Sequence, residues 1–324
     1  WLITTRGERR GGGGCESGRA GSLGAATPLF FHLSPLLPPV SAVHDGYLLR
    51  KSVVRTALGG AALTRAMLAA VEAKGVTVSP PYAFKRVEVA PGEYSVRCRG
   101  VCVVCAGRGV QGARQPTPPC PRALPRQVTP LDLPGTTASY RAHAVAAVAA
   151  DVKETLARVS DGEFDAGANA QMPTQSAELP DGTTVELGAD RLNVPEALFS
   201  PSIMADYGLA DLAGEASLPE AVRRCVAATD SDARKDMAAA IVLTGGGALL
   251  TGLRDRLERE VAGAMSTTAV PRVKVVSPAN PVERRFSVWI GGSILASLGS
   301  FQQMWVSKAE YDEVGKGVIH RKAP

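Results

Sequence analysis

Three groups of residues in this sequence have types and spacings that could do chemistry. Cys98, Cys102, Cys105 and Cys120 offer four thiolates, the number a structural zinc site uses, and Cys102 and Cys105 stand at knuckle spacing. The remaining intervals are irregular, no His assists, and prolines crowd Cys120. An inserted loop, or untranslated sequence retained in the chain, accounts for the segment as well, and no zinc is expected. Gly245-Gly246-Gly247 follows the short apolar run Ile241-Val242-Leu243-Thr244 and precedes a helical pattern. Glycines let a backbone approach a ligand closely, and the start of a helix offers free N–H groups to an anion. The run lacks the Gly-Lys-Ser/Thr ending of a phosphate loop and the spacing of Gly-x-Gly-x-x-Gly, so a purely structural turn fits it too. Lys153 and Glu154 sit side by side in an Ala-rich helical stretch, where such a pair taken alone reads as a solvated face.

Strands and helices must position these groups, and the pattern supplies both. In 61–74, Leu63, Met67, Leu68 and Val71 fall on one helical face, with Gly75 as a stop. A long Ala-rich helix is expected from Ser139 to Val159. Ser176 to Leu179 and Thr183 to Leu187 flank Pro180-Asp181-Gly182, which predicts a hairpin. Ile241 to Thr244 reads as a buried strand. Leu253, Leu257 and Val261 then mark an amphipathic helix, 272–277 a strand, 287–298 an apolar helix, and Phe301 to Trp305 a further short one. Strands alternating with helices place the chain in the α/β class.

The 324 residues suffice for two modest domains or one large one. The net charge of +5 suggests a nucleic-acid binder until it is located. Residues 1–44 carry four Arg against two Glu, and 97–126 carry six Arg and no acid. The other 250 residues hold 26 basic and 29 acidic side chains, which leaves no basic footprint for DNA or RNA. Six cysteines are too few for a disulfide scaffold and suit a reducing compartment. The most apolar stretch, Thr27 to Val43, contains four prolines and makes a poor membrane span. Residues 1–42, rich in Gly, Arg and Pro, are expected to be disordered or foreign to the folded protein. Trp1 in place of Met suggests a fragment.

Five collinear motifs resemble the actin family. Glu283 to Tyr311 (ERRFSVWIGGSILASLGSFQQMWVSKAEY) matches almost residue for residue, and Ile241 to Gly252 (IVLTGGGALLTG) is similar to the family's adenosine-side glycine turn. Asp151-Val-Lys-Glu-Thr-Leu resembles the helix that contacts ribose. Val43-His-Asp-Gly-Tyr-Leu-Leu is similar to the strand after the second phosphate loop. Glu178-Leu-Pro-Asp-Gly, Leu187-Gly-Ala-Asp-Arg and Pro195-Glu-Ala-Leu-Phe complete the order. The resemblance covers 43–96 and 127–324. Gln171-Met-Pro-Thr174, Val282-Glu-Arg-Arg-Phe286 and the ending His320-Arg-Lys-Ala-Pro324 are similar to the nuclear actin-related branch, in its plant or algal type.

The resemblance implies an actin-like fold of the ribonuclease-H-like, Hsp70-type ATPase class, here incomplete with one lobe largely missing. Residues 43–286 would form a lobe with a cap, in which 43–58 and 212–286 are the core, 59–211 the smaller cap and 97–126 an irregular insertion. Residues 287–324 would return to the other lobe. It places Gly60, Lys153, Glu154, Gly245, Gly246, Gly247, Leu249, Leu250 and Arg285 at the adenosine half of a nucleotide site, with Arg285 where the family has an adenine-stacking Lys. Tyr47, Leu295, Leu298 and Ser300 match the lining of a cleft that accepts partner helices, although apolar side chains at such spacing also suit a core.

The departures bear on activity. The family holds phosphates and a metal with two Asp-x-Gly hairpins. The first would lie upstream of this sequence, and the second should fall at residues 32–36, which read His-Leu-Ser-Pro-Leu. No carboxylate is there to hold Mg²⁺ through water, so no metal site and no catalytic residue is expected. ATP is possible in a complete protein, and weak or absent in this chain. The implied role is a nuclear, non-catalytic scaffold of chromatin-remodelling and histone-acetyltransferase complexes, acting in transcription regulation. Its expected partners are nuclear actin, a remodeller ATPase helix and other complex subunits, without direct nucleic-acid or membrane contact. The alternatives are a cytoskeletal relative that binds ATP and polymerises, and a zinc-binding regulatory module.

Overall fold

The computed structural model describes residues 28–33, 38–44, 47–84, 86–90, 93–96, 131, 133–162, 164–165, 167, 169, 171–265 and 273–322. The strands are β1 (Leu29–His32), β2 (Pro39–His44), β3 (Tyr47–Leu48), β4 (Val54–Arg55), β5 (Arg86–Ala90), β6 (Glu93–Val96), β7 (Gln175–Glu178), β8 (Thr184–Leu187), β9 (Ile241–Thr244) and β10 (Val275–Val276). The α-helices are α1 (Gly60–Ala73), α2 (Ala138–Leu156), α3 (Asp190–Glu196), α4 (Leu218–Ala227), α5 (Arg234–Ala239), α6 (Leu253–Met265), α7 (Pro281–Ser297), α8 (Lys308–Val314) and α9 (Val318–Lys322). Two compact units emerge. Among the described residues, the first comprises those up to 63, within 157–166 and from 192 on; the second comprises those within 64–156 and 167–191. This division differs from the expected lobes: 59–63, 157–166 and 192–211, read as cap, belong with the first unit, and so do the described residues of 287–324.

The first unit is built on one mixed sheet in the order β10-β9-β1-β2-β3, with β4 also on β2. β1 lies inside it, parallel to β9 on one side and antiparallel to β2 on the other. Residues 28–42 were expected to lie outside the fold, so this is a correction: Leu29, Phe31, Val40 and Ala42 are fully buried sheet residues. The prolines misled because they do not interrupt the strands. Pro28 precedes β1, Pro38 precedes β2, and Pro39 is the first residue of β2, where its missing N–H is tolerated. Alternation along β1 (buried, partly buried, buried, partly buried) marks one face as core.

Helices cover the core face by the same logic. In α4, Leu218, Ala221, Val222, Cys225 and Val226 recur at helical spacing and are buried, and the helix packs on β2, β4 and α6. In α6, Leu253, Leu257, Val261 and Met265 form the buried stripe. α7 begins six residues before the expected 287: Asn280 Oδ1 accepts from the Val282 N–H at 2.9 Å and Pro281 occupies the first turn.

The second unit pairs helices with two hairpins. From Thr64 on, α1 buries Ala66, Met67, Ala70 and Val71 in this unit and stops at Gly75, whose φ of 78° is left-handed. α2 buries Val148, Ala149, Val152 and Leu156 and ends at Leu156, three residues before the expected end. There the Arg191 Nε donates to the Leu156 carbonyl at 3.2 Å, a basic side chain on an open helix C-terminus. The β7–β8 hairpin forms as read: Asp181 Oδ1 accepts from the Thr183 N–H at 2.9 Å and Gly182 takes φ 81°. β5 and β6 form a further antiparallel pair.

Candidate functional site

The glycine turn follows directly from β9. Gly245 turns the chain with φ 99°, and 246–249 then form a single turn of 3₁₀ helix. Its N–H groups are largely committed inside the protein. Gly245 donates to the Arg284 carbonyl at 2.7 Å, Gly247 to the Leu33 carbonyl at 3.4 Å, Ala248 to that of Gly245 at 3.1 Å, and Leu250 to that of Gly247 at 3.2 Å. Gly246 and Leu249 are exposed, and Leu250 is half-buried. Arg284, a residue the sequence reading passed over, braces the turn. Its guanidinium donates to the Pro278 carbonyl at 2.9 and 2.7 Å and to the Ala248 carbonyl at 3.4 Å. The neighbouring Arg285 is exposed and lays its guanidinium over the Phe286 ring at 5.7 Å.

Where β1 ends beside this turn, the side chains are His32 and Leu33. His32 Nδ1 lies 3.2 Å from Thr244 Oγ1, and burial pushes the imidazole pKa down, favouring the neutral ring. Leu33 is 1% exposed, and its N–H donates to the Thr244 carbonyl at 2.8 Å. A half-buried neutral imidazole and a buried isobutyl group do not fit a divalent cation that needs hard oxygen ligands. Among the described residues, no group of three or more His, Cys, Asp and Glu is placed to hold a metal ion. The four clustered cysteines lie outside the described residues, as do Asp45-Gly46 and the insertion 97–126.

In the second unit, Lys153 Nζ donates to Thr64 Oγ1 at 2.9 Å and so ties α2 to α1. Burial lowers the ammonium pKa, while the Glu154 carboxylate beside it works the other way. Lys153 is therefore half-buried where a purely solvated face was the alternative; Glu154 is exposed. Gly60 opens α1. A cavity of about 700 Å³ in this unit is lined by Tyr82, Phe84, Leu131, Arg141 and Asp181 among others, and none of the candidate adenosine residues borders it. Of the candidate cleft residues, all in the first unit, Tyr47 is 68% exposed and Leu298 38% exposed, Ser300 is exposed and Leu295 half-buried.

A second cluster in the first unit gave no sequence signal beyond a charge on an apolar stripe. Arg256, between Leu253 and Leu257 on the buried face of α6, pairs with Glu196 Oε1 at 3.0 Å and Glu260 Oε1 at 2.7 Å. It also donates to the carbonyls of Ser160, at 3.3 Å, and Gly162, and stands 5.0 Å over the Phe199 ring. Burial raises the Glu196 carboxyl pKa against the opposing pull of Arg256, and Glu196 Oε2 has no hydrogen-bond partner among the described residues. The cluster fixes the 160–162 segment to α6 and is structural.

A sheet with a glycine turn after β9, braced by the helix of the Glu283–Tyr311 motif, is the arrangement that the motifs imply. The family model described as Actin matches residues 38–324, and the chain belongs to the actin family. It is 46% identical to Actin-related protein 4 of rice (Oryza sativa) over 289 residues, 88% of this chain and 58% of the relative. It is 39% identical to Actin-related protein 4 of Arabidopsis thaliana over 306 residues, 93% of this chain and 62% of the relative. With the protein of that name from Emericella nidulans it shares 31% identity over 316 residues, 92% of this chain and 61% of the relative. The chain thus spans between 58% and 62% of the length of these curated relatives.

Proposed function

We propose that this chain serves as a non-catalytic, actin-related scaffold in the nucleus, in complexes that remodel chromatin or acetylate histones, where it pairs with actin on a helix of the remodeller ATPase. The observation that carries the non-catalytic part is the end of β1, where His32 and buried Leu33 stand in place of an acidic hairpin. The similarity to Actin-related protein 4 over most of the chain supports the choice of branch. Exposed Tyr47 and Leu298, with Phe286 and Trp289 on α7, are apolar surface of the kind a scaffold covers with partners. No described helix is long and apolar enough to cross a membrane.

The test mixes the purified chain with monomeric actin and the actin-binding helical segment of a remodeller ATPase, and measures assembly mass by light scattering. A ternary complex that is weakened by Tyr47→Ala or Leu298→Asp is the expected result. Filament formation by the chain with ATP would overturn the scaffold reading in favour of a polymerising relative.

A further inference from the structure

We propose that the glycine turn at 245–247 is the seat of an intramolecular side chain, Leu33, and not of an adenine nucleotide. The proposal deepens the non-catalytic reading and rests on the same strand end, but it concerns a half of the site that the family motif would otherwise leave open. A Cβ built on Gly245 would stand 2.6 Å from the Leu33 carbonyl oxygen and 2.9 Å from its carbon. One built on Gly247 would stand 2.3 Å from Leu33 Cδ2 and 2.6 Å from Cγ. Gly246, the glycine of the run that does not touch Leu33, has nothing within 4 Å of its would-be Cβ. The two glycines that must be glycine are therefore those against which Leu33 is pressed.

The backbone agrees with the side chain. Leu33 donates to Thr244 and accepts from Gly247, which extends the β1–β9 pairing by one residue into the turn. Four N–H groups that an anion could have used, those of Gly245, Gly247, Ala248 and Leu250, are donated to protein carbonyls. The close backbone approach that glycine permits is thus taken up by an apolar plug, and the donors are satisfied behind it.

The experiment is a double-mutant cycle on the full chain. Gly247→Ala is made alone and together with Leu33→Ala, and thermal unfolding is followed with and without millimolar MgATP or adenosine. Gly247→Ala is expected to lower Tm by at least about 4 °C, and by less than half as much when Leu33 is already Ala, because the added methyl then has room. Neither ligand is expected to shift the wild-type Tm. Should Gly247→Ala fail to fold, recovery of a cooperative transition in the double variant supports the plug, and failure of both overturns it. No loss on Gly247→Ala, an equal loss in both backgrounds, or a MgATP-dependent rise in Tm that Gly247→Ala removes would each overturn it as well. Assembly with actin is unaffected by these outcomes, so the plug and the scaffold reading fail separately.

Discussion

Arg284 holds Gly245 from behind: its carbonyl oxygen accepts the glycine N–H at 2.7 Å, while its guanidinium reaches round to the Ala248 carbonyl at the far side of the turn. One residue of α7 thereby sets both ends of the glycine turn. Arg284→Ala would leave the backbone bond but release the carbonyls of Ala248 and Pro278. A loss of about 1–3 kcal/mol is expected in denaturant unfolding. Lys at this position should restore little, since one ammonium cannot span two carbonyls in the same plane.

Gly245 and Gly246 are neighbours with opposite tolerance. Gly245 has φ 99° and the Leu33 backbone against it, whereas Gly246 faces open space. Gly245→Ala should cost about 2 kcal/mol or more, from strained backbone and steric displacement together, and Leu33→Ala should not relieve it because the obstructing atoms are main chain. Gly246→Ala should stay within about 0.5 kcal/mol of wild type. Matched urea curves decide the point.

The buried pair of Arg256 and Glu196 gives a sharper expectation. Arg256→Met strands a carboxylate that is fully buried and already has one oxygen without a partner, so a loss of about 3–5 kcal/mol is expected. Adding Glu196→Leu should recover part of it. Recovery stays incomplete because Arg256 also holds the carbonyls of Ser160 and Gly162. Unfolding of the two variants side by side checks both statements.

Acid sensitivity should trace partly to Glu220. The hydrogen bond from Arg223, reinforced by one from Arg224, holds its carboxyl at about 2 against an ordinary 4.5. A depressed folded-state pKa means that the folded chain binds fewer protons. The contribution is present above pH 4.5 and is lost as pH falls towards 2. The pair is largely exposed, so the effect is modest and falls with added salt. Glu220→Gln should flatten the stability profile between pH 5 and about 2.5 at low ionic strength; an unchanged slope would remove Glu220 from the account.

Much of the fold was legible where periodicity and turn chemistry act locally. Leu63, Met67 and Val71 on α1, the Asp181-Gly182 hairpin and the Leu253–Leu257–Val261 stripe of α6 all follow from spacing alone. The inner strand β1 did not, because Leu29-Phe30-Phe31-His32 is four residues long and proline-flanked. Its partner β9 is remote in sequence, and no local rule reports such pairing. Of the candidate site, the glycine turn was visible as a pattern, but what it packs against was not. Leu33 touches it only through the tertiary fold. Arg256 and Arg284 carry charge, which reads as surface until the carbonyls around them are placed.

The pairing of β1 with β9 also sets a schedule for synthesis. His32 meets Thr244 across 212 residues of sequence, so a ribosome making about 5–20 residues each second leaves the first hairpin waiting for about 10–40 s. Throughout that interval Leu29 and Phe31 would lie on the bare edge of the antiparallel ribbon that β1 makes with β2, β3 and β4. Such a ribbon is a natural client for chaperones, and a natural point of mispairing when translation stalls before residue 241.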